Sequence, residues 1–119
     1  MISIDLQSRV PIYEQLYKKI TELIIKGVLA ENDQIPSVRA LAKELGVNPN
    51  TVAKAYQELE RNNIIYSLSG RGSFVSKIND GTIRNYILSD FDDSVNGALK
   101  AGITREELKR RIDEVKEND

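Results

Sequence analysis

Asn50, Thr51, Lys54 and Gln57 are the side chains whose types and spacing could do chemistry, and that chemistry is the recognition of nucleic-acid bases. On a helix with 3.6 residues per turn they fall on one side. Asn and Gln each donate and accept at once, which suits the edge of adenine. A Lys ammonium suits the acceptors of guanine, and a Thr methyl packs on that of thymine. The alternative reading is an ordinary solvated helix face, since any surface helix shows polar side chains. A second group is basic: Arg39, and Arg71 flanked by Gly70 and Gly72. The glycines let the backbone turn tightly and approach a groove wall. An Arg between them is drawn to the negative potential of a narrow minor groove. Here the alternative is a plain hairpin turn carrying a solvated Arg.

Catalysis has little to work with. The chain contains no Cys and no His, which excludes disulfides, thiol nucleophiles, histidine bases and zinc fingers. The best acidic group is Asp90, Asp92 and Asp93 beside Asn96, within a run from Asp90 to Gly97 that partly matches a calcium-binding loop. In that run the glycine is misplaced, and Ala101 stands where the twelfth-position Glu belongs. No glycine-rich loop follows a strand to cradle a phosphate. The expectation is a non-enzyme with no cofactor and no metal.

The elements that must position these residues can be read along the chain. Residues 1–10 alternate Ile2, Ile4 and Leu6 with polar neighbours, as an extended arm does. A long helix begins at Pro11, with Ile12, Leu16, Ile20, Leu23 and Ile24 on one stripe, Tyr13 and Tyr17 beside it, and Gly27 as its end. Val28 to Ile35 is a polar connection with a turn at Asn32-Asp33. Pro36-Ser37 starts a second helix, whose Val38, Leu41, Ala42 and Leu45 share a face, and Gly46 ends it with Val47 plugging the core. Asn48 caps a third helix with Pro49 at its first position and Val52, Ala55, Tyr56 and Leu59 on its inner face. After Asn62-Asn63, residues 64–68 and 73–76 read as strands around Ser69-Gly70-Arg71-Gly72. Three helices and a two-stranded wing make a winged helix-turn-helix.

A boundary follows at Asn79-Asp80-Gly81, with Thr82 as a helix cap. Ile83, Ile87, Leu88, Phe91, Val95, Ala98 and Leu99 then lie on a helical stripe that ends at Ala101-Gly102. Thr104 to Glu107 has capping-box spacing ahead of Leu108, Ile112 and Val115. Two such helices cannot bury their apolar faces alone, so a second copy of the chain is the economical partner.

Composition bounds the partners. The chain has 119 residues, 40% of them hydrophobic, enough for one small domain and an appendage. Its start lacks a signal-peptide core and no run approaches the ~20 apolar residues of a membrane span, so a cytoplasmic location is expected. The net charge of −1 is unevenly placed. Residues 36–76 hold five basic side chains against three acidic ones, a balance of +2. That excess is small, so one copy would neutralise few phosphates and a dimer twice as many.

Several of these segments together resemble a known family. Ile35-Pro-Ser-x-Arg-x-Leu-Ala42, Leu45-Gly-Val-Asn-Pro-Asn-Thr-Val52, Tyr56-x-x-Leu-Glu60 and Gly70-Arg-Gly-Ser-Phe-Val75 are similar to the DNA-binding domain of GntR-type bacterial transcription regulators. Pro11-Ile-Tyr-Glu-Gln-Leu16 and the short tail resemble the YtrA-type branch. The resemblance implies a dimeric repressor, often of an operon for a transporter of the ATP-binding cassette type, with the two-helix tail as dimerisation unit. It implies that Arg39 holds phosphate or base, that Thr51 lies in the recognition helix, and that Gly70, Arg71 and Gly72 enter the minor groove. At Pro49 the chain departs from relatives outside this branch, many of which carry an Arg that reads guanine. Asn50 and Lys54 thereby become the candidates for base readout. Ser37 and Tyr56 have two roles open: phosphate contacts, or cap and core respectively.

The expected fold is therefore mainly α with a small β-hairpin. Residues 1–77 would form the winged helix-turn-helix, including an arm at 1–10, and residues 78–119 a helical dimerisation tail. The expected site comprises Ser37, Arg39, Asn50, Thr51, Lys54, Gly70, Arg71 and Gly72. Its partners would be double-stranded operator DNA and a second copy of the chain, with no membrane and no effector identified. A winged helix used for protein contacts is the competing function; it would more readily present aromatic anchors than Asn50, Thr51 and Lys54.

Overall fold

A computed structural model describes residues 2–117. The chain divides into two compact units, Met1–Ile78 and Asn79–Asp119. The first contains α1 (Ile12–Ile25), β1 (Gln34–Ile35), α2 (Val38–Leu45), α3 (Pro49–Arg61), β2 (Ile65–Leu68) and β3 (Gly72–Val75). The second contains α4 (Asp80–Lys100) and α5 (Arg105–Glu114).

Local chemistry sets the helix ends. Ser37 is extended and its hydroxyl accepts from the Ala40 amide at 3.0 Å, satisfying one orphan donor of α2. Gly46 closes that helix at φ +69°, a left-handed conformation that strains any residue with a Cβ. The next amide, Val47, bonds back to Ala42 O at 3.0 Å, and its side chain packs on the core. Asn48 then caps α3 by accepting from the Asn50 amide at 2.8 Å, with Pro49 in the first helical position.

The apolar faces so produced meet in one core. Leu16 and Ile20 of α1, Leu41 of α2, Val52 and Leu59 of α3, and Ile65 and Val75 of the strands are each at most 2% exposed. Thr21, also buried, donates its hydroxyl to Tyr17 O at 2.7 Å.

The hairpin β2–β3 forms as expected, antiparallel with Ile65 opposite Val75 and Leu68 opposite Gly72. The structure adds a third strand: β1 pairs with β3, Gln34 opposite Phe74, giving the order β1-β3-β2. The connection between α1 and α2 is thus part of the sheet and not only a polar loop. Two residues are too few to show an alternating pattern, and Pro36, lacking an amide donor, ends the strand at once. The N-terminal arm also departs from expectation. Ile2 and Ile4 pack on the core, but the chain turns from Leu6 onward, leaving Leu6 exposed. Gln15 holds this turn: its amide nitrogen donates to Asp5 O and Val10 O, and its oxygen accepts from the Asp5 amide at 2.8 Å.

In the second unit the cap of α4 is Asn79 and not Thr82. The Asn79 side chain accepts from the Thr82 amide at 2.9 Å, so Thr82 lies inside the first turn as a donor to the cap. Thr104 caps α5 as expected, accepting from the Glu107 amide at 3.2 Å. Neither helix contains a buried residue: Ile87, Leu88 and Phe91 of α4 and Ile112 of α5 stand exposed.

Leu59 lies on α3 at the centre of the first core with no exposed surface. Replacing it by Ala should destabilise the protein by about 2–5 kcal/mol, through lost burial and the cavity left behind. Urea denaturation followed by circular dichroism measures this, and a loss well below 1 kcal/mol would contradict the packing described.

Candidate nucleic-acid interface

The expected site residues lie at three places on the first unit. Ser37 and Arg39 stand at the start of α2, Asn50, Thr51 and Lys54 in the first turns of α3, and Gly70 to Gly72 at the wing tip.

At the start of α2 the hydroxyl of Ser37 is engaged as the cap, which is the structural of its two open roles. Arg39 is exposed. Tyr56 is 6% exposed and donates its hydroxyl to Pro36 O at 2.6 Å. Burial pushes its phenol up to about 12, so it remains a protonated donor well into the alkaline range. Tyr56 is thus a core residue that ties the entry of α2 to α3, which is the structural of its two open roles.

On α3, Asn50, Lys54 and Gln57 are exposed and lie opposite Val52, Ala55, Tyr56 and Leu59. Thr51, expected among the exposed set, is partly buried on the flank of that face. The first turn of α3 carries no acidic residue, so the partial positive charge of the helix start is not offset there. Arg61 at the far end pairs with Glu58 at 2.6 Å. The ammonium of Lys54 sits 3.9 Å from the centroid of the Tyr13 ring, a contribution from α1 to this face.

The wing tip is a tight turn in which the Arg71 amide donates to Leu68 O at 2.9 Å, with Gly70 at φ +74° and Gly72 at φ +112°. Arg71 is exposed. Its carbonyl accepts from Gln34 Nε2 at 2.9 Å, so β1 holds the tip from the side. A Cβ at position 72 would lie 2.8 Å from that same Gln34 nitrogen, the end of a flexible side chain that would have to shift, so φ is the main demand for glycine here. Lower in the wing, Tyr66 stacks on Phe74 at 5.5 Å between centroids and donates to Asn32 Oδ1 at 2.8 Å.

These contacts join two of the three places. Arg71 is tied to Gln34, three residues before Ser37, while Pro36 between them is tied to Tyr56. Gln34, Tyr13 and Gln15 were not singled out from the sequence, because each acts on a residue distant along the chain. A Tyr beside the apolar stripe of α1 was the one legible hint.

Among the described residues no group of His, Cys, Asp and Glu side chains is arranged to hold a metal ion, and no helix is long and apolar enough to cross a membrane. The segment from Asp90 to Gly97 is continuous helix within α4, so it does not have the loop geometry that calcium binding requires.

Comparison with known proteins agrees with this geometry. The family model described as bacterial regulatory proteins of the gntR family matches residues 12–75. The HTH-type transcriptional repressor YtrA of Bacillus subtilis (strain 168) is 41% identical over 97% of this chain and 92% of its own length. The crystal structure of a transcriptional antiterminator from Listeria monocytogenes EGD-e superposes with a TM-score of 0.72 at 38% identity, covering 96% of this chain and 88% of that one. AraR(DBD), crystallised in complex with operator ORX1, does so with a TM-score of 0.56 at 28% identity over 63% of this chain and 93% of its own. Five helices, a three-stranded wing, the family match and these relatives lead to one conclusion: the chain belongs to the GntR family of bacterial regulatory proteins.

Proposed function

We propose that this chain is a sequence-specific DNA-binding transcription regulator that acts in the cytoplasm as a homodimeric repressor on a palindromic operator. The observation that carries the reading is the exposed Asn50, Lys54 and Gln57 face of α3, opposite the core on a helix whose first turn lacks acidic charge. Side chains of these types at the start of a helix match the donor and acceptor pattern of a major groove. Arg39 and Arg71 supply phosphate or minor-groove contacts on either side, with Gly70 and Gly72 allowing the wing tip its close approach. Repression is inferred from the relative named as a repressor and operator binding from the relative crystallised with an operator.

Dimerisation rests on the second unit. Helices of 21 and 10 residues that bury none of their side chains leave an apolar surface unpaid in water. Ile87, Leu88 and Phe91, each about half exposed, are the natural seam for a second copy. Two copies set two α3 helices on one side of the duplex, about 34–36 Å apart for half-sites one helical turn apart.

Footprinting on the DNA upstream of the chain's own gene tests the whole reading, since it returns site, spacing and symmetry together; absence of any protected site there or in a selected library of duplexes would sink it. With that operator, the Arg39→Ala/Arg71→Ala double variant should bind more weakly and with a salt slope lower by about one per lost phosphate contact per subunit. Full affinity in the double variant would overturn the docking of α2 and the wing. The Asn50→Ala variant should lose about 1–3 kcal/mol of discrimination at one base pair per half-site, read by binding to a set of single-base operator variants. Phe91→Asp should convert a dimer to a monomer in sedimentation and weaken operator binding, while a stable Phe91→Asp dimer would place the seam elsewhere.

A further inference from the structure

The contact between Lys54 and Tyr13 joins an exposed side chain of the proposed reading face to a residue outside the helix-turn-helix. Lys54 Nζ stands 3.9 Å from the Tyr13 ring centroid, well within the ~6 Å at which the ring quadrupole attracts an ammonium. The two partners differ in freedom. Tyr13 is partly buried and packed against the core, whereas Lys54 is exposed. Four residues further along α1, the Tyr17 hydroxyl accepts from Asn62 Nδ2 at 3.0 Å, where α3 ends. This bond and the packing of both tyrosines on the core fix the first turns of α1 against α3, and with them the place of the Tyr13 ring.

An unrestrained lysine on a helix surface samples many rotamers, and ordering them opposes binding. We infer that Tyr13 is a positioning residue that holds the Lys54 ammonium in place before DNA arrives, so that Lys54 meets the groove at a set point. The inference rests on the DNA-binding reading above. It concerns a residue that need not touch DNA: the ring acts through the lysine. Its aromatic face is the operative property and its hydroxyl is not.

The test is a double-mutant cycle on the footprinted operator, using Tyr13→Leu, Tyr13→Phe and Lys54→Met in the full chain, with thermal denaturation to establish that each variant is folded. Tyr13→Leu should weaken operator binding about two- to fivefold when Lys54 is present and have no effect in the Lys54→Met background. Tyr13→Phe should bind as the parent does. The salt slope of Tyr13→Leu should be unchanged, since no charge is removed. Without DNA, the side-chain methylene protons of Lys54 nearest the ammonium should resonate upfield under the ring in NMR spectra and return to ordinary positions in Tyr13→Leu. Equal losses in both Lys54 backgrounds, failure of Tyr13→Phe to retain binding, or ordinary Lys54 shifts in the parent would each overturn the positioning role and leave the DNA-binding reading standing. A parent protein that binds no DNA would overturn both.

Discussion

The buried hydroxyl of Tyr56 constrains the rest of the DNA-facing unit. A phenol removed from water needs a partner, and an unmet one costs about 1–3 kcal/mol. Here the partner is the carbonyl of Pro36, 2.6 Å away and 20 residues earlier in the chain. That carbonyl sits between β1 and the cap of α2, so the bond ties α3 to the point where the sheet ends and α2 starts. Burial raises the phenol above its ordinary value, so the donor of this tie persists into the alkaline range. The wing is then referenced to the same point, since Gln34, two residues before Pro36, holds the carbonyl of Arg71.

Charge gives the proposed pairing through the second unit its physical reason. The whole chain carries −1, and its helix-turn-helix and wing segment only a small basic excess. Electrostatic attraction of one copy to DNA is therefore weak, and under the proposed function affinity comes from placing a few side chains well and from using two copies. In that proposal the exposed apolar stripe of α4 is the seam for the second copy, and the ties through Tyr56, Gln34 and Tyr13 do the placing. Pro49 sharpens the point. It makes a good first residue for α3 but brings no side-chain donor, which is why the proposal assigns base readout to Asn50 and Lys54.

Much of this was legible in the amino-acid order. The faces of α2 and α3, the caps at Ser37, Asn48 and Thr104, the turn at Gly46 and the hairpin around Arg71 all follow from periodicities and turn chemistry spanning four residues or fewer. What escaped was equally specific. Strand β1 is two residues long and has no pattern of its own. Thr51 sits on the flank of its helix, where a rotation of a few tens of degrees separates an exposed from a partly buried side chain. Asn79 and Thr82 both have the chemistry of a cap, and only the backbone conformation chose between them.

The sequence by itself therefore determined the elements, their inner faces, the residue types offered to a groove and the absence of any Cys- or His-based chemistry, because hydrogen-bonded turns and hydrophobic periodicity act over a few residues. Tertiary structure alone decided that Tyr56 is a strut, that Gln34 braces the wing and that Tyr13 lies under Lys54. Those pairs are separated by 20, 37 and 41 residues. Their meeting depends on how packed helices and strands are rotated against one another, and that rotation is set by the shape of the shared core and not by any local spacing.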